Sequence, residues 1–284
     1  EAAELIVVWS NNVTVSNLHL MRVINAAKKK GAKLVVVDPK RIKVAEQADL
    51  FLQIKPGTDV VLGYALAAEL ERLGAIDKAF VNEWTVGFDA YMAEARQHSV
   101  ELAAQTCGLD AADIRQLASW YAAASPAALS VGNGMERSLT GGASLRTVMA
   151  LPALTGKFGV YGGGVIAKPG AAFPKTTDKL HRTDWIPAGT RTLNILDVSA
   201  HVLDENLDPP VRGLVIYNHN PIAVHPEQQR MHDALMHPEV FTVGIEIAMT
   251  DSMAYADVVL PACGPFEIHD IYGAYGQQYL QRAE

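Results

Sequence analysis

Apolar runs alternate with amphipathic stretches along the first half of the chain. Leu5–Trp9 and Lys33–Asp38 are short runs rich in Val, Ile and Leu, a pattern typical of parallel strands that are buried on both faces. Between them, apolar residues recur at helical spacing over Leu18–Lys30, and Gly31 follows as a helix stop. This order predicts a right-handed β-α-β crossover at the start of the chain.

The same alternation continues to about residue 160. The turn at Pro56-Gly57 opens a helix for which Thr58 or Asp59 is the expected N-cap. The other elements expected here are a strand over Asp49–Ile54, a helix that ends at Gly74, short helices within Asp77–Gln105, a helix from Asp110 to about Ala124, a strand over Ala127–Val131 and a helix over Ala143–Phe158.

Three consecutive glycines, Gly162–Gly164, mark the expected boundary between two domains. The chain is then irregular as far as Arg191. Beyond it we expect helices near Leu193–Leu203 and after Pro226, and strands over Gly213–Tyr217, Val240–Ile245 and Asp257–Leu260. The predicted fold class is α/β, with two αβα units that carry mostly parallel, Rossmann-like sheets. They are a dinucleotide-binding domain over residues 1–160 and a second, partial domain over residues 161–284.

The composition adds several exclusions. Of the 284 residues, 49% are hydrophobic and 19% are charged, which suits a large buried core, and the net charge of −7 argues against a nucleic-acid partner. No apolar stretch is long enough to predict a membrane span. The first residue is Glu1 and no signal-peptide pattern follows, so we expect a fragment of a longer protein. A cytoplasmic location is expected, with a periplasmic one as the alternative.

Cysteine and histidine offer little catalytic chemistry. Cys107 and Cys263 can form neither a disulfide scaffold nor a Cys-only metal site, and each is expected to be a small core residue. His269 is expected to be a partly exposed loop residue, although it could face a cofactor. Four histidines cluster at irregular spacings and are expected at the surface or in loops rather than at zinc: His219, His225, His232 and His237.

Polar residues follow most of the predicted strands. Because the carboxyl ends of parallel strands meet at one edge of a sheet, these side chains are expected to surround a ligand site. They are Ser10, Asn11 and Asn12 after the first strand; Asp38, Pro39, Lys40 and Arg41 after the second; Lys55, Pro56, Gly57, Thr58 and Asp59 after the third; Gly132, Asn133, Gly134 and Arg137 after the fourth; and Asn218, His219, Asn220 and Pro221 after Tyr217.

The chemistry of these loops favours a nucleotide. Asp38 stands where dinucleotide folds bind ribose, and Lys40 and Arg41 can neutralise a diphosphate. The two acceptor oxygens of Asp59 match the paired N1–H and N2–H donors of guanine. No G-x-G-x-x-G loop follows the first strand, which disfavours an ordinary NAD site. Two simpler interpretations stay open, namely a turn at Asp38-Pro39 and a helix cap at Thr58 or Asp59.

Several segments, in order along the chain, match one set of motifs. They are Leu5–Asn12 (a strand ending in Trp-Gly-x-Asn), Val37–Arg41 (Asp-Pro-Arg), Ala48–Asp59 (Ala-Asp…Pro-Gly-Thr-Asp), Gly132–Gly142 (Gly-x-Gly-x-x-Arg-x-x-x-Gly), Leu154–Gly159, Asn220-Pro221 and Met249–Pro261. Together they resemble the core of molybdopterin oxidoreductases of the dimethyl-sulfoxide-reductase family. Ser10 stands where that family usually has Gly, and Lys40 stands where it usually has Arg. Lysine keeps the positive charge but cannot bind a phosphate through two parallel hydrogen bonds as arginine does.

The resemblance implies a bis(molybdopterin guanine dinucleotide) cofactor with molybdenum or tungsten. It implies that one dinucleotide is lined by Trp9, Ser10, Asn11, Asn12, Asp38, Pro39, Lys40, Arg41, Gly57, Thr58 and Asp59. It also implies that Asn133, Arg137, Asn220 and Glu246 line the approach of the pterin or of the second dinucleotide. A small-molecule redox substrate and electron-transfer subunits are the implied partners.

No catalytic residue and no metal ligand is assigned to this chain. In the family that this chain resembles, the metal ligand lies upstream of the strand that matches Leu5–Trp9. In most branches the cysteines that bind the iron–sulfur cluster also lie upstream of that strand. A [4Fe–4S] cluster is therefore expected only in a missing N-terminal segment. Two alternatives stay open: a non-catalytic relative, such as the large iron–sulfur subunit of respiratory NADH dehydrogenase, and a generic nucleotide-binding α/β domain.

Overall fold

Two units make up the chain, Glu1–Pro169 and Gly170–Glu284. The computed structural model describes residues 1–167, 178–272, 279 and 281–283. The division falls later than the predicted boundary between residues 160 and 161. The reason is that a strand over Gly164–Ile166, just after the glycine run begins, pairs within the first sheet.

A five-stranded parallel sheet forms the centre of the first unit. Its order is β3-β2-β1-β4-β5, so the order reverses between β1 and β4. In register, Trp9 lies beside Val37 on one side and beside Val131 on the other. The strands are β1 (Leu5–Trp9), β2 (Lys33–Val37), β3 (Leu50–Leu52), β4 (Ala127–Val131) and β5 (Gly164–Ile166).

Helices pack on both faces of this sheet. Asp110 accepts a hydrogen bond from the Ala112 N–H and so begins a helix where the sequence predicts one. The α-helices of the unit are α1 (Leu18–Lys29), α2 (Asp59–Arg72), α3 (Lys78–Trp84), α4 (Phe88–Ala95), α5 (Val100–Cys107), α6 (Ala111–Ala123) and α7 (Gly141–Leu154), and 3-10 turns occupy Lys43–Gln47 and Met135–Arg137.

Successive residues of β1 enter two different cores. Leu5, Val7 and Trp9 pack with residues of α2, α5, α6 and α7 on one face, whereas Ile6 and Val8 pack on the other face with residues of α1. All five are at most 5% exposed. A parallel sheet that is buried on both faces carries few polar residues within its strands, although Ser130 of β4 is one. This burial explains why the polar candidates gather at the carboxyl edge.

A three-stranded parallel sheet, in the order β6-β7-β8, organises the second unit. Helices cover one face, while Val215 and Tyr217 on the other face are 69% and 71% exposed. The elements are α8 (Asp178–His181), α9 (Val198–Leu203), β6 (Gly213–Tyr217), α10 (Pro221–Val224), α11 (Gln228–Leu235), β7 (Phe241–Glu246), β8 (Val258–Pro261) and the antiparallel pair β9 (Asp270–Tyr272) and β10 (Gln281–Ala283). The predicted α/β fold with mostly parallel sheets is confirmed.

Several sequence-based expectations need correction. Cys107 is buried as predicted, but Cys263 is exposed. The helix expected near Leu193 begins as a 3-10 turn at Ile195–Asp197 and becomes α-helical only at Val198. Within the described residues, no helix has both the length and the apolar character needed to cross a membrane.

Candidate functional site

The loops after β1 and β4 meet at the carboxyl edge of the first sheet. The strand order reverses between these two strands, and ligands of open α/β sheets bind at such a switch point. The Gly132 N–H donates to the Trp9 carbonyl oxygen at 3.0 Å. A Cβ on Gly132 would lie 2.2 Å from the Ser10 carbonyl oxygen and 2.6 Å from the Asn11 Cα. Glycine is therefore required for this approach.

Ser10 and Asn11 are fixed by the two neighbouring strands. The Ser10 N–H donates to the Val37 carbonyl oxygen at 2.9 Å, and the Asn11 Nδ2 donates to the Oγ of fully buried Ser130 at 2.9 Å. Ser10 has a φ of 51°, which is a left-handed conformation that glycine adopts more readily. Ser10 thus adopts the left-handed backbone conformation that a glycine at this position of the Trp-Gly-x-Asn motif would favour.

Asp38 lies at the end of β2 and is only 8% exposed. Its Oδ1 accepts the Lys40 N–H at 2.9 Å, which is a local bond of the kind that the turn interpretation of Asp38-Pro39 predicts. Burial raises the pKa of the Asp38 carboxyl, the Lys40 N–H opposes that rise, and the negative charge of Asp59 adds to it. A buried carboxylate with a raised pKa, at the carboxyl edge of a parallel sheet, is a candidate functional group.

Asp59 is the first residue of α2 and is 4% exposed. Its Oδ1 accepts the indole N–H of Trp9 at 2.7 Å. Thr58 occupies the N-cap position, but its hydroxyl donates to the Lys55 carbonyl oxygen at 2.7 Å, so the expected cap bond is not made. Burial raises the pKa of Asp59, and the hydrogen bonds from Trp9 and from its own backbone N–H oppose the rise.

A second link joins the loop after β3 to the segment after β4. Gly57 has a φ of 78°, and its carbonyl oxygen accepts the Thr140 hydroxyl at 3.0 Å. The Ser138 Cβ lies 3.7 Å from the place that a Cβ on Gly57 would take. Sequence reasoning missed Ser138 and Thr140, because no local spacing indicates a contact across 83 residues.

Cationic and amide side chains of the site stay at the surface. Lys40, Arg41 and Arg137 are exposed, as is Asn133, and the Arg41 guanidinium lies 5.2 Å from the centre of the Phe51 ring. The carboxylates are buried and the cations are accessible. This arrangement suits a ligand that offers hydrogen-bond donors at one end and phosphate charge at the other.

In the second unit, the predicted residues also lie at the ends of strands. The Oδ1 of Asn220 accepts the Ser252 hydroxyl at 2.7 Å, and the Ser252 Oγ accepts the Ile222 N–H at 3.0 Å. Glu246 ends β7, and its Oε1 accepts the Ile247 N–H at 2.8 Å. Asn220 and Glu246 therefore belong to the carboxyl edge of the second sheet.

Two histidines of the second unit form a pair that sequence reasoning missed. The Nε2 atoms of His219 and His225 lie 2.9 Å apart. His225 lies in the loop between α10 and α11, as expected, although it is only 9% exposed. Burial, and then the neighbouring His219, lowers the pKa of His225. Both line a cavity of about 460 Å³ beside β6, together with apolar side chains of α9 and α11. Only the spatial approach of the two imidazoles reveals this pair.

These features define an α/β protein whose polar candidate residues gather at the topological switch point of a parallel sheet. Across the described ranges, no three His, Cys, Asp or Glu side chains converge closely enough to hold a metal ion. The carboxyl edge of the first sheet instead carries the buried carboxylates Asp38 and Asp59 and the exposed cations Lys40 and Arg41.

Comparison with known proteins identifies the family. A family model described as Molybdopterin oxidoreductase matches residues 1–282. The chain is similar to the probable oxidoreductase YoaE of Bacillus subtilis, with 35% identity over 279 residues that cover 98% of this chain and 41% of the relative. It is also similar to formate dehydrogenase H of Escherichia coli, with 28% identity over 298 residues that cover 95% of this chain and 41% of the relative. The chain belongs to the molybdopterin oxidoreductase family.

The chain spans 41% of the length of each of these two relatives. Acetylene hydratase from Pelobacter acetylenicus shares the fold, with a TM-score of 0.74 and 24% identity, over 96% of this chain and 42% of that one. The family resemblance seen in the sequence is confirmed. The relatives lend no support to the NADH dehydrogenase alternative, and the family match replaces the generic nucleotide-binding domain.

Proposed function

We propose that residues 1–284 form the cofactor-binding core of an oxidoreductase that uses bis(molybdopterin guanine dinucleotide) with molybdenum or tungsten. Family membership supports a molybdopterin type of cofactor. The observation that carries the guanine dinucleotide form is the buried Asp59 carboxylate at the switch point, with exposed cations on the neighbouring loop. When bound, the metal and the pterin supply two-electron or oxygen-atom chemistry, which the protein only positions.

The donor set of this chain fits such a group. Asp59 accepts from the N1–H and N2–H of guanine, and Asp38 accepts from ribose hydroxyls. Lys40 and Arg41 neutralise the diphosphate. In this proposal the first dinucleotide lies along Ser10–Asn12, Asp38–Arg41 and Gly57–Asp59 of the first unit. Asn133 and Arg137 of the first unit, and Asn220 and Glu246 of the second, are each proposed to contact the pterin or the second dinucleotide.

The remainder of the proposal concerns the full-length protein. A small-molecule redox substrate and electron-transfer subunits are its proposed partners. We place the [4Fe–4S] cluster outside residues 1–284, because four thiolates hold such a cluster and this chain has two cysteines, of which Cys107 is buried and Cys263 exposed.

Asp59→Asn in the full-length enzyme tests the guanine assignment. Asparagine keeps the size of the side chain but turns one acceptor into a donor that faces the donors of guanine. Hydrogen bonds to a charged acceptor are worth about 1.5–3 kcal/mol, so retention of the affected nucleotide should weaken at least ~10-fold. The measurement is guanine nucleotide per protein after acid hydrolysis of the cofactor.

A matched control is Asp89→Asn, because Asp89 is an exposed carboxylate in the first turn of α4, as Asp59 is in the first turn of α2. The control should keep the wild-type guanine content. Since the proposed cofactor holds two guanines, the content of the Asp59 variant should fall toward half of that value. Unchanged content in the Asp59 variant would remove this carboxylate from the site.

A further inference from the structure

Trp9 cannot touch a ligand at the edge of the sheet, because its side chain is completely buried. It is 0% exposed and packs in the larger core of the first unit, beneath the loop that begins at Ser10. Its one polar atom, the indole Nε1, donates to the Oδ1 of Asp59 at 2.7 Å, across 50 residues of sequence. The indole N–H can donate but never accept, so it needs an acceptor, and here it holds one oxygen of the Asp59 carboxylate.

The bond from Trp9 stabilises the ionised form of Asp59 and holds its side chain in place. Asp59 is 4% exposed, and a buried carboxylate without a donor tends to take up a proton or to leave its buried position. The Trp9 ring is held by the surrounding core, so the donor is fixed before any ligand arrives. One oxygen is therefore anchored from the protein side.

We propose that Trp9 is a positioning residue for guanine recognition: its indole N–H holds Oδ1 of Asp59 so that the carboxylate stays ionised and turned toward the ligand edge. The inference rests on the proposed function, because it needs Asp59 to bind guanine. It changes the role of Trp9 from a residue that lines the cofactor to one that acts through Asp59. A carboxylate has four lone pairs, and after the bonds from Trp9 and from the Asp59 backbone N–H two of them are left for the two guanine donors.

The groups around Asp59 make the ionised form sensitive to this bond. The Asp38 carboxylate follows β2 and the Cys107 thiol ends α5. Burial raises the pKa of each, and the charge of Asp59 adds to the rise. Lys40 acts on Asp38, and Lys55 acts on Cys107, each lowering the pKa of its neighbour. For Asp59 itself, burial raises the pKa and the Trp9 bond lowers it. Loss of the indole N–H should therefore let Asp59 protonate at a higher pH.

The test compares full-length Trp9→Phe, Trp84→Phe and Asp59→Asn with the wild type. Each protein is dialysed at a series of values between about pH 4 and pH 8, and the guanine nucleotide that it retains is measured. Trp84 is 69% exposed on α3, so its variant controls for the loss of an indole from the same unit. We expect Trp9→Phe to release nucleotide at a pH at least about one unit higher than the wild type and Trp84→Phe, because a hydrogen bond to a charged group is worth that much.

Benzothienylalanine at position 9 is the second variant, since it replaces the N–H by sulfur and keeps the shape of the ring. This variant tests the role of the N–H even if the smaller phenylalanine prevents folding. It should also release nucleotide at a higher pH than the wild type. Two results would overturn the role of Trp9, provided that Asp59→Asn still lowers nucleotide retention. One is a Trp9→Phe variant that loses nucleotide equally at every pH. The other is a benzothienylalanine variant that releases nucleotide at the same pH as the wild type. Unchanged retention in Asp59→Asn would instead overturn the guanine assignment itself, and the Trp9 proposal with it.

Discussion

Gly132→Ala should damage both the stability of the first unit and its ligand site. The added Cβ would lie 2.2 Å from the Ser10 carbonyl oxygen and 2.8 Å from the Asn11 Cβ. Ordinary contacts between such atoms begin well above 3 Å, so the loop after β1 and the loop after β4 must separate by roughly 1 Å. The atoms in the way are mainly backbone, which cannot rotate aside as a flexible side chain would.

The expected cost has two parts. Forcing an extra methyl into a packed region costs about 1–3 kcal/mol. The same movement stretches the bond from the Gly132 N–H to the Trp9 carbonyl oxygen, which is worth about 0.5–1.5 kcal/mol. The free energy of unfolding of the first unit should therefore fall by about 2–4 kcal/mol, which lowers the melting temperature of a unit of this size by about 5–15 °C.

Calorimetry of Gly132→Ala beside Gly142→Ala measures this cost. Gly142 lies in α7, and a Cβ added there would meet no atom within 4 Å, so alanine should raise stability by about 0.5–1 kcal/mol through its better helix propensity. Guanine content of the full-length variants should fall for Gly132→Ala alone. A melting temperature for Gly132→Ala within about 2 °C of the wild type would refute the claim that the two loops are locked together.

Two further predictions concern the second unit. Ser252→Ala removes the acceptor of the Ile222 N–H and the hydroxyl donor of Asn220 Oδ1, and because Ser252 is fully buried, we expect a loss of about 1–3 kcal/mol in urea unfolding, against no loss for exposed Ser16→Ala. The lowered pKa of His225 means that its contribution to stability is present above the unfolded value of 6.5 and is lost as the pH falls toward the folded value. His225→Gln should flatten the decline of the melting temperature below that pH, whereas exposed His269→Gln should leave the decline as it is.

Local patterns predict the elements of the first unit well, because each is encoded within a few neighbouring residues. The apolar runs at Leu5–Trp9 and Lys33–Val37 become the central strands, and the helix between them ends before Gly31. The strand β5 is missed for the opposite reason. It has three residues, and only its pairing with β4 defines it. The boundary between the two units moves with it.

For the candidate site too, the sequence predicts which residues lie there but not the long-range bonds between them. The rule that ligands bind at strand ends leads directly to Ser10, Asp38 and Asp59, because sequence order alone fixes which residues follow a strand. The bonds that decide what these residues do are not local. The Trp9 indole reaches Asp59 across 50 residues, and the Thr140 hydroxyl reaches Gly57 across 83. Such bonds depend on how helices pack on the sheet, which no periodicity reveals.

Folding raises the pKa values of Asp38 and Asp59. Near neutral pH their buried charges therefore lower the stability of the ligand-free chain, whereas the same charges favour binding of a ligand that offers hydrogen-bond donors. For a carboxyl whose pKa is raised by folding, the stabilising contribution is complete below the unfolded pKa and is lost as the pH rises through the folded pKa. Near neutral pH, the buried charge of Asp59 therefore lowers the stability of the chain when no ligand donor is bound. Asp59→Asn removes that charge, and the Oδ1 of asparagine can still accept the Trp9 indole N–H. The melting temperature of the cofactor-free chain at neutral pH should therefore stay equal or rise, while guanine retention in the full-length enzyme falls. A residue that served only the fold would lower the melting temperature and leave the guanine content of the folded enzyme unchanged, so that pair of results would assign Asp59 to the fold rather than to the ligand.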